Sequence, residues 1–357
     1  MYRLNAVPFI SRCVLSSVNY IRSVANTRRN VYTYRNIFAK PQQLCAVKKY
    51  RFNDRRGNGS RMLLAVPLPT LIFNYLLGIE DTDEETPEVI MTIKRSVLLI
   101  EKREYDKAEQ MLHVALNQAQ TIQNYDAITY IYDVMANLAF DTGKYHKAEK
   151  LFVSVLERLM SKGAAEDDIR IIHISLKIAK MFAHLHETKK AEQGFKFCME
   201  HLKSHIEKDP DNKDAALLQG MAFDWYGQML LSQSRYTEAF NLLLQAYDIS
   251  KKMNGEEHEQ TVVLLNDLGT ICCMREQYDE AITYLSTAAR IGENLPDMPD
   301  LGAIHVNLGR AFLKKNLYDE GKKSCQRGRK IAKSRNDNDS LLEADKCLKE
   351  VKKLLSS

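Results

Sequence analysis

Between residues 89 and 333 the alternation of small, apolar and polar positions repeats in register. Six times a turn is followed by an aromatic residue or its substitute, two more residues and a small one, in EYDKA, KYHKA, TKKA, RYTEA, QYDEA and LYDEG. The closing small residues are Ala108, Ala148, Ala191, Ala239, Ala281 and Gly321, separated by 40, 43, 48, 42 and 40 positions. Twelve residues before each stands another small one: Ser96, Ala136, Ala179, Gly227, Gly269 and Gly309. Two helices approach closely only where neither carries a bulky side chain, so each pair marks the crossing point of a helix-turn-helix unit. Four residues past the second anchor come Leu112, Phe152, Phe195, Leu243, Leu285 and Cys325, and seven past it Ala115, Val155, Cys198, Ala246, Ala288 and Gly328. Spacing of i, i+4, i+7 is one buried helical stripe.

The pattern resembles the tetratricopeptide repeat. It predicts an all-α fold, a right-handed superhelical solenoid of about six helix-turn-helix repeats over residues 89–333. The spacing exceeds the usual period of about 34, and the usual Pro closing the second helix is absent, so the helices are longer, as in kinesin light chains. The longest interhelical loops are expected at 161–170 and 207–215. A last helix within 334–357, with Leu341, Leu348, Val351 and Leu355 on one face and lysines opposite, is expected to cap the final repeat.

Composition agrees with long helices. Only 15 Gly and 8 Pro in 357 residues leave little for the many turns that strands require. Charge divides the chain. Residues 1–61 hold 13 Lys or Arg and a single acid, Asp54, a net of +12, whereas the remainder carries −7. The body is therefore mildly acidic, which argues against nucleic acid as a partner. Seven cysteines with no C-x-x-C pair fit neither a zinc ribbon nor a disulfide scaffold.

The leader, 1–61, is rich in Arg, Ser and aromatic residues, the composition of a mitochondrial presequence. A membrane potential negative inside draws such a segment inward at about 2.3 kcal/mol per charge per 100 mV. Met62 to Ile79 follows without a charge, and its 18 residues would span roughly 27 Å as a helix, against a hydrocarbon core of about 30 Å. Pro67, Pro69 and Asn74 weaken it as a spanning segment. Arg55, Arg56 and Arg61 precede it, and an acidic linker, 80–88, follows. Basic residues held on the matrix side would leave the repeats facing the intermembrane space.

No phosphate-binding loop, zinc-protease, nucleophile-elbow or dinucleotide motif occurs, so no enzyme, cofactor or small-molecule substrate is expected. His201 and His205 lie at i, i+4 but lack a matching carboxylate or thiol, and no metal is assigned to them. Cys198, Cys272 and Cys325 fall at buried repeat positions and read as small core residues. Function is placed instead on the inner face lined by the first helix of each repeat. Counted from the anchors, that face presents Tyr130, Asp133, Asn137, His173, Lys180, Asp224, Gln228, Asn266, Thr270 and Arg310. A groove mixing amides, acids and bases suits a peptide, whose backbone needs both donors and acceptors.

Four stretches, AITYIYDVMANLAF (127–140), ISLKIAKMFA (174–183), GFKFC (194–198) and GEEHEQTVVLLNDLGT (255–270), stand in this order behind a basic leader. That order resembles the family of mitochondrial tetratricopeptide repeat protein 19. The resemblance covers the body from about residue 89, with Glu259 where long repeats often place Pro. It implies a non-catalytic factor of the mitochondrial inner membrane that supports respiratory complex III by aiding turnover of Rieske iron-sulfur subunit fragments. The alternative is a transport adaptor of the kinesin light chain kind, which would carry coiled-coil heptads ahead of its repeats, and this chain has none.

Overall fold

The structure, a computed structural model, describes residues 88–296, 298 and 300–356. The leader, the apolar segment 62–79 and positions 80–87 of the linker lie outside the described residues. Those described form thirteen helices and no strand. Six antiparallel pairs follow one another: α1 (Glu88–Glu101) with α2 (Tyr105–Thr121), α3 (Tyr125–Asp141) with α4 (Tyr145–Ser161), and α5 (Ile169–His184) with α6 (Thr188–Lys208). Then come α7 (Lys213–Ser232) with α8 (Tyr236–Asn254), α9 (Glu259–Met274) with α10 (Tyr278–Asn294), α11 (Leu301–Lys314) with α12 (Tyr318–Ser334), and a single last helix, α13 (Asn338–Ser356).

Each pair is joined by a three-residue turn. Its middle residue, Arg103, Gly143, His186, Ser234, Glu276 or Asn316, has φ between 61° and 72°. This left-handed residue lets the amide after it reach back to the first helix, as Lys144 N to Ala139 O at 2.8 Å and Leu317 N to Phe312 O at 2.9 Å, satisfying carbonyls that the helix end leaves open. Only Gly143 adopts that backbone without a steric cost. Between pairs, side chains cap the next helix: Asn124 accepts from Ala127 N and Asn212 from Ala215 N, both at 2.9 Å.

Small residues set the crossings. A Cβ added to Gly269 would lie 2.5 Å from Leu285 Cγ and 3.1 Å from the Ala281 carbonyl oxygen; at Gly227 it would lie 2.8 Å from Leu243 Cγ. Ala108, Ala148, Ala191, Ala239 and Ala281 are fully buried, as are Leu112, Phe152, Phe195, Leu243 and Leu285 one turn later. The second helices bury this one stripe. The first helices are covered on most sides, because each packs on its own partner and on neighbouring repeats. The apolar core consequently runs along the solenoid as overlapping clusters rather than around one centre.

Three sequence expectations need correction. The segment 207–215 is mostly helical, with only 209–212 between α6 and α7; after 162–168, the longer connection is 295–300, where Pro296 stands just past the end of α10. On α13 the buried stripe is Ser340, Ala344, Cys347 and Val351, while Leu355 is exposed and Leu341 and Leu348 are half-buried. Small residues on that stripe let α13 seat closely on α12, and the leucines flank the contact. Finally, Cys325 is bonded to Cys347, 22 positions away, although no disulfide was expected.

Candidate functional site

The first helices bring the predicted groove residues into three groups. In repeats four to six the side chains form a continuous ladder. Asn307 Nδ2 donates to Asn266 Oδ1 at 2.9 Å, and Asn266 Nδ2 to Asp267 Oδ1 at 3.4 Å. Gln228 Nε2 donates to Asp267 Oδ2 at 2.6 Å and lies 3.5 Å from Asp224 Oδ1, whose other oxygen accepts from Gln260 Nε2 at 3.3 Å. Thr270 turns back to its own helix, donating to Asn266 O at 2.8 Å. Amides bridging carboxylates satisfy the acids in a largely buried place, where Asp267 is 3% exposed and an unpaired charge would be costly.

Beside the ladder, Lys180 is buried with its ammonium 3.9 Å above the Trp225 ring. Burial pushes the Lys180 ammonium below the usual lysine range and the Asp224 carboxyl above the carboxylate range, and each charge opposes the other's shift. Asp141 also favours the Lys180 charge.

The second group joins repeats two and three. Asp133 Oδ1 and Lys177 Nζ are 3.4 Å apart with side chains 5% and 7% exposed. Asn137 donates to the Asp133 carbonyl oxygen at 2.8 Å, a bond within α3. Tyr130, Asp133 and His173 line a small cavity together with Arg170, Thr129 and the apolar Val155, Leu159 and Ile174. Burial holds His173 well below the usual imidazole range. At the far end, Arg310 is engaged by α13: its guanidinium donates to Glu343 Oε2 at 2.7 Å, with side chains 8% and 16% exposed.

Several of these partners escaped the sequence reading, and they share a place in the repeat. Lys177, Trp225, Asp267 and Asn307 each stand two residues before the first-helix anchor. The residues expected in the groove stand six and three before it and one after it. The extra position faces the preceding repeat, so an apolar Val134 at the equivalent place in repeat two hides its polar role in the others.

His184, at the end of α5, sits among aromatic rings, 5.5 Å from Tyr145 and 5.4 Å from Phe140 between centroids. No group of His, Cys, Asp or Glu that could hold a metal occurs among the described residues. Burial, aided by the nearby Lys180 and His186, lowers the imidazole to about 3. Below the unfolded pKa of about 6.5 the unfolded chain takes up a proton that the folded chain refuses, so stability falls as pH drops through that range. From pH 7 to pH 5 the loss expected from this group is about 2 kcal/mol. Urea unfolding at both values should show a smaller loss in His184→Phe, and an equal loss in the two proteins would remove His184 as the cause.

Comparison with known proteins places this geometry. The tetratricopeptide repeat family matches residues 214–294, the fourth and fifth helix pairs. Tetratricopeptide repeat protein 19 homolog, mitochondrial, of Drosophila melanogaster is 40% identical over 283 residues, 79% of this chain and 77% of the relative. The chain belongs to the family of mitochondrial tetratricopeptide repeat protein 19. The Homo sapiens member is 33% identical over 284 residues, 77% of this chain and 74% of its own length. Among solved structures, a signal-transduction ATPase with a tetratricopeptide repeat sensor from Pyrococcus horikoshii superposes with a TM-score of 0.54 at 16% identity, covering 81% of this chain and 43% of that one. That likeness concerns the fold. The chain is thus a mitochondrial tetratricopeptide repeat protein, of a scaffold family that is typically non-catalytic.

Proposed function

We propose that this protein is a non-catalytic binding factor of the mitochondrial inner membrane that supports respiratory complex III by holding fragments of the Rieske iron-sulfur subunit for removal by a separate protease. The carrying observation is the amide and carboxylate ladder from Gln260 and Asp224 to Asn307 on three successive first helices. Paired donors and acceptors repeated along one face match the backbone of a peptide segment. Family membership supports the setting, and the absence of any catalytic motif in the sequence supports binding without catalysis. The apolar segment 62–79, basic before and acidic after, would tether the repeats with their groove toward the intermembrane space. No helix among the described residues is long and apolar enough to cross a membrane.

The test is capture of the mature protein from detergent-solubilised mitochondria with identification of bound complex III subunits. Gln228→Ala with Asn307→Ala should lower recovery of those subunits about fivefold or more in protein whose circular dichroism at the capture temperature remains that of the folded chain, although melting comes earlier. Equal recovery with the ladder removed would take the groove out of the proposal, and absence of complex III subunits from the unaltered protein would take out the partner.

A further inference from the structure

The two bonded cysteines fall where the solenoid ends. In the five earlier repeats the place of Cys325 is filled by Leu112, Phe152, Phe195, Leu243 and Leu285, each buried against the crossing. In the last repeat a covalent link to the next helix takes that place, with Cα atoms of Cys325 and Cys347 6.2 Å apart and both residues fully buried. Cys198, Cys272 and Cys273 are buried as well and are not joined to another cysteine. The fully buried stripe of the cap is mostly small, Ser340, Ala344, Cys347 and Val351, with Leu348 and Leu354 only half-buried beside it. Yet α13 carries Glu343, the partner of Arg310 on the inner face.

We infer that Cys325 and Cys347 are an oxidative modification site, closed by exchange with a disulfide-carrying oxidoreductase, and that the bond locks α13, with Glu343 on Arg310, as the fixed end of the groove. In the exchange the Cys347 thiolate attacks one sulfur of the donor's disulfide, forming a mixed disulfide and releasing one donor thiolate. The Cys325 thiolate then attacks the Cys347 Sγ and releases the second. The two cysteines lose two electrons and two protons, and the donor disulfide becomes a dithiol. Both sulfurs are buried once α13 is seated, so exchange precedes docking, and afterwards a soluble reductant reaches them only slowly, when α13 opens. A compartment with thiols kept reduced by glutathione would leave the pair open. The bond therefore also marks the repeats as lying away from the matrix, a consequence that rests on the mitochondrial setting and not on the identity of the partner.

Mitochondria carrying the full chain are treated with N-ethylmaleimide before lysis, and the protein is denatured in fresh reagent without reductant and mapped by mass spectrometry. The expected map has Cys325 and Cys347 linked and Cys198, Cys272 and Cys273 alkylated; alkylation of Cys325 and Cys347 would overturn the modification site. Hydrogen exchange of the captured protein, before and after reduction verified by the same map, tests the lock. Amides of α13 should exchange about tenfold faster or more once reduced, with α3 to α8 unchanged, and unaltered exchange in α13 would overturn its role as a fixed end. Neither readout involves complex III, so either can fail while the proposed function stands.

Discussion

Asp133→Ala is expected to cost about 3 to 5 kcal/mol of unfolding free energy, because it leaves the Lys177 ammonium buried without its counter-charge. The pair joins the first helices of repeats two and three, and neither side chain has water to retreat to, at 5% and 7% exposed. The Phe152 ring, 5.8 Å from Lys177 Nζ, compensates only weakly for a lost carboxylate. Urea unfolding of Asp133→Ala, Lys177→Met and the double variant reads the coupling directly. The double variant should be far more stable than either single change suggests, since both charges leave together. Additive losses would show that the two side chains do not depend on each other.

Gly309→Leu should be comparably damaging, at about 3 kcal/mol. Helix propensity alone argues the other way, since replacing a helical glycine gains up to about 1 kcal/mol. Contact decides the sign. A Cβ at Gly309 would run into the Cys325 sulfur, already fixed by its bond to Cys347, and would lie 3.0 Å from the Gly321 carbonyl oxygen and 3.1 Å from the Cys325 amide nitrogen. Backbone atoms cannot swing aside as a side chain can, so α11 and α12 must part. Gly269→Leu is expected to follow with a smaller loss, because its nearest obstacle is the Leu285 side chain. An unchanged denaturation midpoint in Gly309→Leu would contradict the crossing geometry at this position.

The solenoid was legible in the sequence because its packing rule is local. Gly227, Gly269 and Gly309 stand a constant twelve residues before Ala239, Ala281 and Gly321, so a reader needs only the order of residues to pair the helices. What joins one repeat to the next follows no such constant offset. Lys177 reaches Asp133 across 44 positions and Gln228 reaches Asp267 across 39, distances fixed by the lengths of the intervening helices and loops. Arg310 was read as a groove cation, yet its acid comes from α13, on the far side of a whole helix and the turns at both its ends. The link from Cys325 to Cys347 was missed for the same reason, since it arises only when α13 folds back onto α12. On α13 itself the pattern of leucines pointed one position away from the buried stripe, because Ala344 and Cys347 are too small to announce burial by hydrophobicity.

A core drawn out as a line also determines how the molecule yields. Cluster follows cluster from Val89 to Val351, each sharing residues or contacts only with its neighbours. A small rotation at one junction is passed on undiminished to everything beyond it, so modest strains sum into a large displacement of one end relative to the other. The solenoid is therefore a spring whose stiffness is set at its junctions. The charged bridge between Asp133 and Lys177 and the sulfur bridge behind Arg310 each tie two helices together at a place where such a rotation would otherwise start.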